Sequence, residues 1–234
     1  MSKNKLAKFS ELKELDRVFQ PAFDEVFQKD HPLKGKWSLE VFNNNNPIVL
    51  ELGCGKGEYT VGLARKYKNK NFIGVDIKGA RIWRGAKTMN EEEIHNAAFL
   101  RTRIELITSF FTPDEVSEVW LTFPDPQEKK RRKKKRLTGP RFLNEYRNFL
   151  KNKGIIHLKT DNDILYEYTL KLVNYNQLDI LFSTPDLYNS EYKNDILEIK
   201  TFYERQYLAE GKNINYIKFR LPKVKEIMEF PEDD

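Results

Sequence analysis

The feature that most constrains the fold is a regular alternation of apolar segments with amphipathic ones from residue 47 onward. Residues 47–52 (PIVLEL) and 71–76 (NFIGVD) have the composition of buried strands, and residues 57–68 between them have the spacing of a helix. Strands that alternate with helices pair in parallel through right-handed crossovers. The sequence therefore predicts an α/β fold with a mostly parallel sheet.

The alternation continues to the end of the chain and predicts a seven-stranded sheet with helices on both faces. The last two strands, joined by a longer insertion, could form an antiparallel edge. The further strands are expected over 97–101, 116–123, 154–159, 177–182 and 216–221, and the further helices over 78–90, 140–151, 162–174 and 201–210.

The chain before this alternation is expected to be a helical extension. Apolar residues recur at broadly helical spacing over 10–29, with a break or kink at Pro21. Asparagines at 43–46 and Pro47 then signal a loop. We therefore divide the chain into an N-terminal extension, 1–45, and a single domain, 46–234.

Cysteine and hydropathy exclude several classes of protein. The single cysteine, Cys54, permits no internal disulfide and no cysteine-built metal site, and the three histidines lack the spacing of metal ligands. No apolar stretch approaches the ~20 residues that span a bilayer, and the N-terminus lacks the apolar core of a secretory signal. We expect a soluble, cytoplasmic protein without a metal or a membrane partner.

A glycine loop, ELGCGKG at 51–57, follows the first of these strands. It departs from the G-x-G-x-x-G fingerprint of dinucleotide sites because position 58 is Glu58, and the carboxylates of Glu51 and Glu58 would repel a pyrophosphate. Asp76 ends the second strand, where a carboxylate can bind paired ribose hydroxyls. These features suit S-adenosylmethionine, which carries a ribose and an ammonium group but no phosphate. The alternative is a turn needed only for tight strand-to-helix packing.

A second loop, FPDP at 123–126, ends the fourth strand. Ligands of open parallel sheets bind at the carboxyl ends of the strands, where the strand order reverses. Asp125 would then face the reactive end of the cofactor, with a proline on each side restricting its backbone. The alternative is a simple strand-ending turn.

Eight consecutive basic residues, Lys129 to Arg136, come directly after this loop. The net charge is +6, yet the other 33 of the 41 basic residues face 35 acidic ones, so the positive charge is local. A concentrated basic patch beside a candidate active-site loop indicates a polyanionic substrate. A solvated or disordered charge block, or a nuclear-localisation signal, is the alternative.

Five motifs in this order resemble those of the bacterial tRNA (guanine-N7)-methyltransferases, a family of class I S-adenosylmethionine-dependent enzymes. The resemblance covers roughly 45–220, and it implies a Rossmann-like fold and methylation of N7 of guanine 46 in the variable loop of tRNA. The motifs are ELGCGKG at 51–57, GVD at 74–76, FPDP at 123–126 with its basic run, KTDN at 159–162 and TFYE at 201–204.

The resemblance and the glycine loop together assign candidate site residues. Asp125 is the catalytic candidate, at the junction of cofactor and substrate. The cofactor-binding candidates are Glu51, Gly53, Gly55, Gly57, Asp76, Arg103 and Asp125. The substrate and RNA candidates are Lys129, Arg131, Arg132, Lys133, Lys134, Lys135, Arg136, Asp161, Thr201, Phe202, Tyr203 and Glu204.

Two positions depart from the family pattern. Gln127 stands where the family usually has Trp, so a stacking role for that ring is lost or moved. Arg103 stands where the family tends to have an acid close to the adenine, with Glu105 two places on. Binding at this position survives if the contact uses backbone amides, whereas the assignment of Arg103 fails if the carboxylate is essential.

The chemistry implied by the resemblance needs alignment more than a base, because guanine N7 is an unprotonated lone pair. A carboxylate is the natural acceptor for the N1–H and N2–H₂ donors of guanine, and Asp125, Asp161 or Glu204 could supply it. The implied partner is tRNA, and the protein is expected to be a monomer or a homodimer. Two rival functions are methylation of another RNA or of a protein, and RNA binding without catalysis. The joint presence of Glu51, Asp76 and Asp125 argues against the latter.

Overall fold

The structure is a computed structural model that describes residues 3–192 and 199–231. Within this part of the chain an eight-stranded sheet is flanked by helices. The strands are β1 (Val18–Phe19), β2 (Ile48–Leu52), β3 (Asn71–Asp76), β4 (Ala97–Arg101), β5 (Val116–Thr122), β6 (Leu150–Thr160), β7 (Ile180–Thr184) and β8 (Asn215–Leu221). The α-helices are α1 (Lys3–Glu11), α2 (Phe23–Val26), α3 (Glu58–Lys66), α4 (Gly79–Glu91), α5 (Pro140–Tyr146), α6 (Asp163–Tyr175) and α7 (Phe202–Ala209).

The strand order is β1-β4-β3-β2-β5-β6-β8-β7. Every pair from β1 to β6 is parallel, whereas β8 runs antiparallel to both β6 and β7. The predicted mostly parallel sheet with an antiparallel edge is therefore confirmed. The one strand that the pattern missed is β1, which has two residues.

The helix expected over 10–29 is wrong for most of its length. Helix α1 ends at Glu11, and Val18 and Phe19 pair with Phe99 and Leu100 at the edge of the sheet. Arg17 explains the difference, since its guanidinium donates to the carbonyls of Ile94 and Ala97 and its φ of 54° breaks a helix. Tertiary hydrogen bonds thus override the local periodicity. The boundary between 1–45 and 46–234 stays a prediction.

The core lies on both faces of the sheet because side chains alternate along β2. Ile48, Leu50 and Leu52 join the cluster under α5 and α6, whereas Val49 joins the one under α3 and α4. The predicted placement of helices on both faces is thereby confirmed. No helix among the described residues is long and apolar enough to cross a bilayer.

His157 is a structural residue, as the sequence suggested. Its ring is 1% exposed, stacks on Trp120 at 3.7 Å between centroids, and hydrogen-bonds the Tyr216 hydroxyl at 2.8 Å and Glu118 at 3.2 Å. Burial lowers the pKa of His157 to about 4, so the ring is neutral at pH 7. The burial of Trp120 and Cys54 was also expected.

Candidate active site

The loops that follow β2 and β5 meet at the carboxyl edge of the sheet. The chain runs outward from β2 through β3 to β4, then returns to the other side of β2 as β5. The strand order therefore reverses between β2 and β5, which is where open parallel sheets bind ligands. The structure brings the glycine loop and the Pro-Asp-Pro loop to this one crevice.

Gly53 and Gly55 leave their side of the loop open. A Cβ atom added at either glycine would meet nothing within 4 Å, and both have a left-handed backbone, with φ of 81° and 55°. The loop is held in place because the amides of Gly53 and Cys54 both donate to the carbonyl of Val75, at 2.8 and 3.0 Å. A ligand can thus approach the loop backbone closely.

Gly57 has a different role from the one we expected. A Cβ atom there would lie 2.5 Å from the ring of Phe99 and 3.2 Å from the Cα of Gly85. The glycine is needed so that α3 can pack against α4 and β4, and the residue is buried. Its amide donates within the loop, to the carbonyl of Cys54 at 2.8 Å. The expected contact between Gly57 and a cofactor could use only its backbone, and it stays a prediction.

Glu51 lies beneath the loop and is only 3% exposed. One carboxylate oxygen accepts from the amide of Thr60 at 2.8 Å and from its hydroxyl, and the other accepts from the hydroxyl of Thr122. Glu51 therefore joins the first turn of α3 to the end of β5. Burial raises the pKa of this carboxyl to about 7 despite these hydrogen bonds.

This raised pKa predicts a pH-dependent effect of Glu51→Gln on stability. A carboxyl whose pKa rises on folding favours the folded state less as the pH rises. Its contribution to the free energy of unfolding therefore falls between the ordinary pKa of 4.5 and about 7. The ligand-free Gln variant should match the wild type at pH 5 and exceed its free energy of unfolding at pH 8, by up to about 3 kcal/mol. Denaturant unfolding at both pH values measures this. The exposed Glu105→Gln serves as control, and an equal pH response of the two variants would contradict the prediction.

Asp76 connects the glycine loop to the end of β3. Its carboxylate accepts from the amide of Gly55 at 3.0 Å and from that of Lys78 at 2.7 Å. Each carboxylate oxygen can accept a further hydrogen bond, so the pair remains able to bind the two hydroxyls of a ribose. The expected position of Asp76 on a nucleoside is compatible with this geometry.

A cavity of about 440 Å³ opens beside Asp76, within the range of small-ligand sites. One wall is apolar and would suit the faces of an adenine ring. Its lining consists of Gly53, Asp76, Ile77, Thr102, Arg103, Ile104, Glu105, Gln127, Lys135, Leu137 and Phe142. The open glycine, the carboxylate and the apolar wall together fit S-adenosylmethionine, which needs a close backbone approach, a ribose acceptor and an adenine slot.

Arg103 lines this cavity but directs its charge away from it. The residue is exposed, and its guanidinium lies 5.6 Å from the ring centroid of Phe23 in α2. A guanidinium has only donors, so it has no acceptor for the amine of an adenine. A contact of Arg103 with the cofactor would have to use its backbone, and it stays a prediction.

The Pro-Asp-Pro loop lies between two residues with left-handed backbone conformation, Phe123 with φ of 48° and Gln127 with φ of 49°. Such conformations are costly for residues other than glycine and concentrate at functional sites. The Asp125 carboxylate is exposed and accepts from the amide of Gln127 at 3.1 Å. The loop therefore presents a carboxylate to solvent next to the cavity.

The basic run is folded, with a 3₁₀-helix over Lys130–Lys135. Four of the candidate RNA-binding residues in this helix, Arg131, Arg132, Lys134 and Lys135, are exposed, as is Lys129 before it. These side chains form an outward basic surface that ends at the cavity, because Lys135 belongs to both.

Two members of the run instead attach the 3₁₀-helix to the protein. Arg136 is 6% exposed, donates to the carbonyl of Pro126 at 3.2 Å, and lies 4.3 Å from the ring centroid of Tyr168. Lys133 pairs with Glu229 at 3.4 Å and lies over the rings of Tyr168 and Phe230. Arg136 therefore anchors the run in this structure, and its expected RNA contact stays a prediction. Lys133 is better described as an anchor.

Sequence reasoning missed Lys159, which forms a buried ion pair with Glu204 at 2.6 Å. The two side chains are 1% and 0% exposed. The hydroxyl of Tyr188 also donates to Glu204, and burial lowers the pKa of Lys159. Glu204 thus holds α7 against β6 with its carboxylate buried, and its expected contact with guanine stays a prediction.

Thr201 shares this structural role. Its hydroxyl accepts from the amide of Glu204 at 3.1 Å, and its own amide donates to the Glu204 carboxylate at 3.3 Å. This is a capping box, and the Thr-x-x-Glu spacing at the start of a helix is the sequence signal that would have revealed it.

Phe202 and Tyr203 are the exposed part of the same segment, at 47% and 40%. The ammonium of Lys56 lies 3.8 Å from the ring centroid of Phe202, and the amide of Phe202 donates to Glu58 at 2.9 Å. These contacts place two open aromatic rings beside the glycine loop.

Asp161, which follows β6, is half-buried and lies 3.6 Å from the ammonium of Lys212. Burial raises the pKa of this carboxyl. With Glu204 occupied, Asp125 and Asp161 are the two remaining carboxylates of the three that were candidates for the guanine edge.

Comparison with known proteins agrees with this site. A family described as "Putative methyltransferase" matches residues 45–217. The chain is 55% identical to the tRNA (guanine-N(7)-)-methyltransferase of Christiangramia forsetii, over 94% of this chain and 99% of that one. It is 54% identical to the enzyme of the same name from Bacteroides thetaiotaomicron, over 95% and 88% of the two chains.

Solved structures share the fold at low identity. The 16S rRNA methyltransferase KamB aligns with a TM-score of 0.59 at 11% identity, over 83% of this chain and 95% of that one. A 16S rRNA (adenine(1408)-N(1))-methyltransferase from Catenulisporales acidiphilia aligns with a TM-score of 0.58 at 12% identity, over 84% and 97%. The fold is that of class I methyltransferases, and the chain belongs to the family of the tRNA (guanine-N(7)-)-methyltransferases.

Proposed function

We propose that the protein transfers the methyl group of S-adenosyl-L-methionine to N7 of guanine 46 in the variable loop of tRNA. One observation carries the proposal: the exposed Asp125 accepts from the amide of Gln127, which lines a cofactor-sized cavity, and Lys135 of the basic helix lines the same cavity. The relatives named above support the same reaction.

Three groups would hold the cofactor. The open backbone at Gly53 and Gly55 allows close approach, and Asp76 accepts from the ribose. Asp125 supplies negative charge toward a ligand that carries ammonium and sulfonium groups, and Glu51, whose pKa is about 7, adds charge when it is ionised. When bound, the cofactor supplies a cationic methyl donor.

The protein's part in the chemistry is alignment and electrostatics. Guanine N7 is already a nucleophile, so no side chain has to remove a proton from it. The Asp125 carboxylate stabilises the positive charge that appears on the methylated guanine. Asp125 or Asp161 accepts from N1–H and N2–H₂, which rejects adenine because adenine lacks that pair of donors.

Binding of the RNA divides between phosphate and base contacts. The outward basic surface, formed by Lys129, Arg131, Arg132, Lys134 and Lys135, would contact phosphates, which position the RNA but carry little sequence information. Phe202 and Tyr203 offer rings on which an unstacked base can lie. We further propose a cytoplasmic monomer or homodimer in which 1–45 is an extension of the 46–234 catalytic domain.

The decisive assay uses labelled S-adenosylmethionine and unmodified tRNA with guanine or adenine at position 46. We expect label only in the guanine-46 transcript, and mapping of the product should place the methyl on N7. Equal labelling of both transcripts, or of neither, would refute the assignment. Label in another RNA or in a protein would favour the rival enzyme, whereas tRNA binding without transfer would favour the non-catalytic reading.

The division of the basic run predicts different salt dependences for its members. Replacing Arg131 and Arg132 with alanine should flatten the dependence of log Kd for tRNA on log salt by roughly 0.7–0.9 per lost phosphate contact. Lys133→Ala is the matched control, because Lys133 pairs with Glu229, and it should leave the slope near the wild-type value. Equal slopes for the double variant and the wild type would show that these arginines do not contact phosphates of the RNA.

A further inference from the structure

The cofactor cavity contains one polar atom whose role neither the fold nor the site explains. The side-chain oxygen Oε1 of Gln127 is buried and has no hydrogen-bond partner within the described part of the chain. Gln127 lines the cavity beside the Pro-Asp-Pro loop. A buried acceptor without a donor is costly, and native proteins rarely retain one unless a ligand or a water satisfies it.

The backbone of Gln127 is held so that this atom stays where it is. Its φ of 49° is unfavourable for a residue with a side chain, and its amide is bound to the Asp125 carboxylate at 3.1 Å. The carbonyl of Pro126, the preceding residue, accepts from the buried Arg136 at 3.2 Å. The backbone of Gln127 is thus held from both sides of the residue.

S-adenosylmethionine brings three kinds of donor into such a cavity: two ribose hydroxyls, an ammonium group and the exocyclic amine of adenine. Asp76 is the acceptor beside the glycine loop for the hydroxyls, and the ammonium seeks carboxylates. The remaining donor is the amine, which needs an acceptor at the edge of the apolar slot that Ile104, Leu137 and Phe142 form with Gln127.

The two charged neighbours, Arg103 and Glu105, are poorer acceptors for this amine than Gln127. Arg103 has only donors, and its guanidinium lies over Phe23. Glu105 carries the one other carboxylate among the lining residues besides Asp76, but it is exposed to water. A buried neutral amide oxygen discriminates between ligands with and without the amine more sharply than an exposed carboxylate does. At the buried oxygen, water cannot replace the missing donor.

We infer that Oε1 of Gln127 accepts a hydrogen bond from the exocyclic amine of the cofactor's adenine and makes Gln127 a specificity residue of the cofactor site. The inference rests on the proposed cofactor but not on the identity of the methyl acceptor. It therefore predicts a property of binding that is measured without RNA.

The test is a double-mutant cycle between Gln127 and the amine. Affinities of S-adenosylhomocysteine and of its analogue with hydrogen in place of the 6-amino group are measured by titration calorimetry. The wild type should prefer the amine by about fivefold, as one net hydrogen bond implies. Gln127→Leu should bind both ligands within a factor of about two, whereas Gln127→Glu, which keeps an acceptor at this position, should retain the preference.

Glu105→Ala is the matched control, and it should keep the wild-type preference. The inference is overturned if Gln127→Leu still prefers the amine, if the wild type shows no preference, or if Glu105→Ala alone abolishes it. Failure of the wild type to bind S-adenosylhomocysteine would refute the cofactor itself. Circular dichroism and the Gln127→Glu variant separate a folding defect of the Leu variant from a loss of recognition.

Discussion

Replacing Asp125 with asparagine is expected to lower the rate of methyl transfer by ~10²- to 10³-fold, as loss of one electrostatic contact in a transition state does. The carboxylate is exposed at the crevice, and the product guanine carries the positive charge that it stabilises. Asparagine keeps an oxygen for the amide of Gln127, which Asp125 binds at 3.1 Å, so the loop should retain its conformation. Single-turnover transfer to tRNA at saturating cofactor measures the effect.

Glu128→Gln is the control for Asp125→Asn, because Glu128 is exposed in the same loop and accepts from Asn162 at 2.8 Å. Its rate should stay within about threefold of the wild type, as expected for a surface change away from the chemistry. A rate for Asp125→Asn in that same range would show that the carboxylate is dispensable.

Steady-state transfer kinetics with varied tRNA concentration distinguish the two remaining carboxylates. A group that acts only in the transition state changes kcat, whereas one that binds the guanine edge equally in both states changes KM. We therefore expect Asp125→Asn to lower kcat and Asp161→Asn to raise KM for tRNA. Exchange of these two signatures would assign the guanine edge to Asp125 instead.

Breaking the buried ion pair is expected to have the largest effect on stability. Glu204→Ala leaves the ammonium of Lys159 buried without its carboxylate partner at 2.6 Å, and such a change typically costs about 3–5 kcal/mol. It also removes half of the capping box that begins α7. Denaturant unfolding, followed by circular dichroism, measures the loss.

Two further variants test the cause of this loss. Lys159→Met combined with Glu204→Leu removes both charges, and it should recover most of the stability, because the isolated charge and not the missing contact is the main penalty. Lys212→Ala breaks the exposed pair with Asp161 and should cost at most about 1 kcal/mol. Equal losses for Glu204→Ala and Lys212→Ala would contradict the argument.

Helix α7 links this ion pair to the substrate side of the crevice. Phe202 and Tyr203 lie in its first turn, and Glu58 accepts from the amide of Phe202 at 2.9 Å. Loss of the Lys159–Glu204 contact would therefore release the two exposed rings from the glycine loop. We therefore expect Glu204→Ala to weaken RNA binding through the position of these rings.

Local pattern was sufficient for the sheet because the central strands are short, continuously buried apolar runs bounded by turn and helix signals. Strands β3 and β4 have the predicted bounds, Asn71–Asp76 and Ala97–Arg101. The helix prediction failed over 12–20, where the guanidinium of Arg17 donates to the carbonyls of Ile94 and Ala97. Those acceptors are far away in sequence, so no local signal reveals them.

The chemistry of the site divides in the same way. The sequence by itself determined the parallel α/β fold, the crevice at the end of β2 and β5, and the types of residue that meet there, because residue order and spacing suffice for these. Only the tertiary structure decided which residues face the ligand: Gly57 packs on Phe99, Glu204 pairs with Lys159, and Arg136 lies on Tyr168. A polar side chain is available for function only if no distant residue has already satisfied it, and those distant partners exist only once the chain has folded.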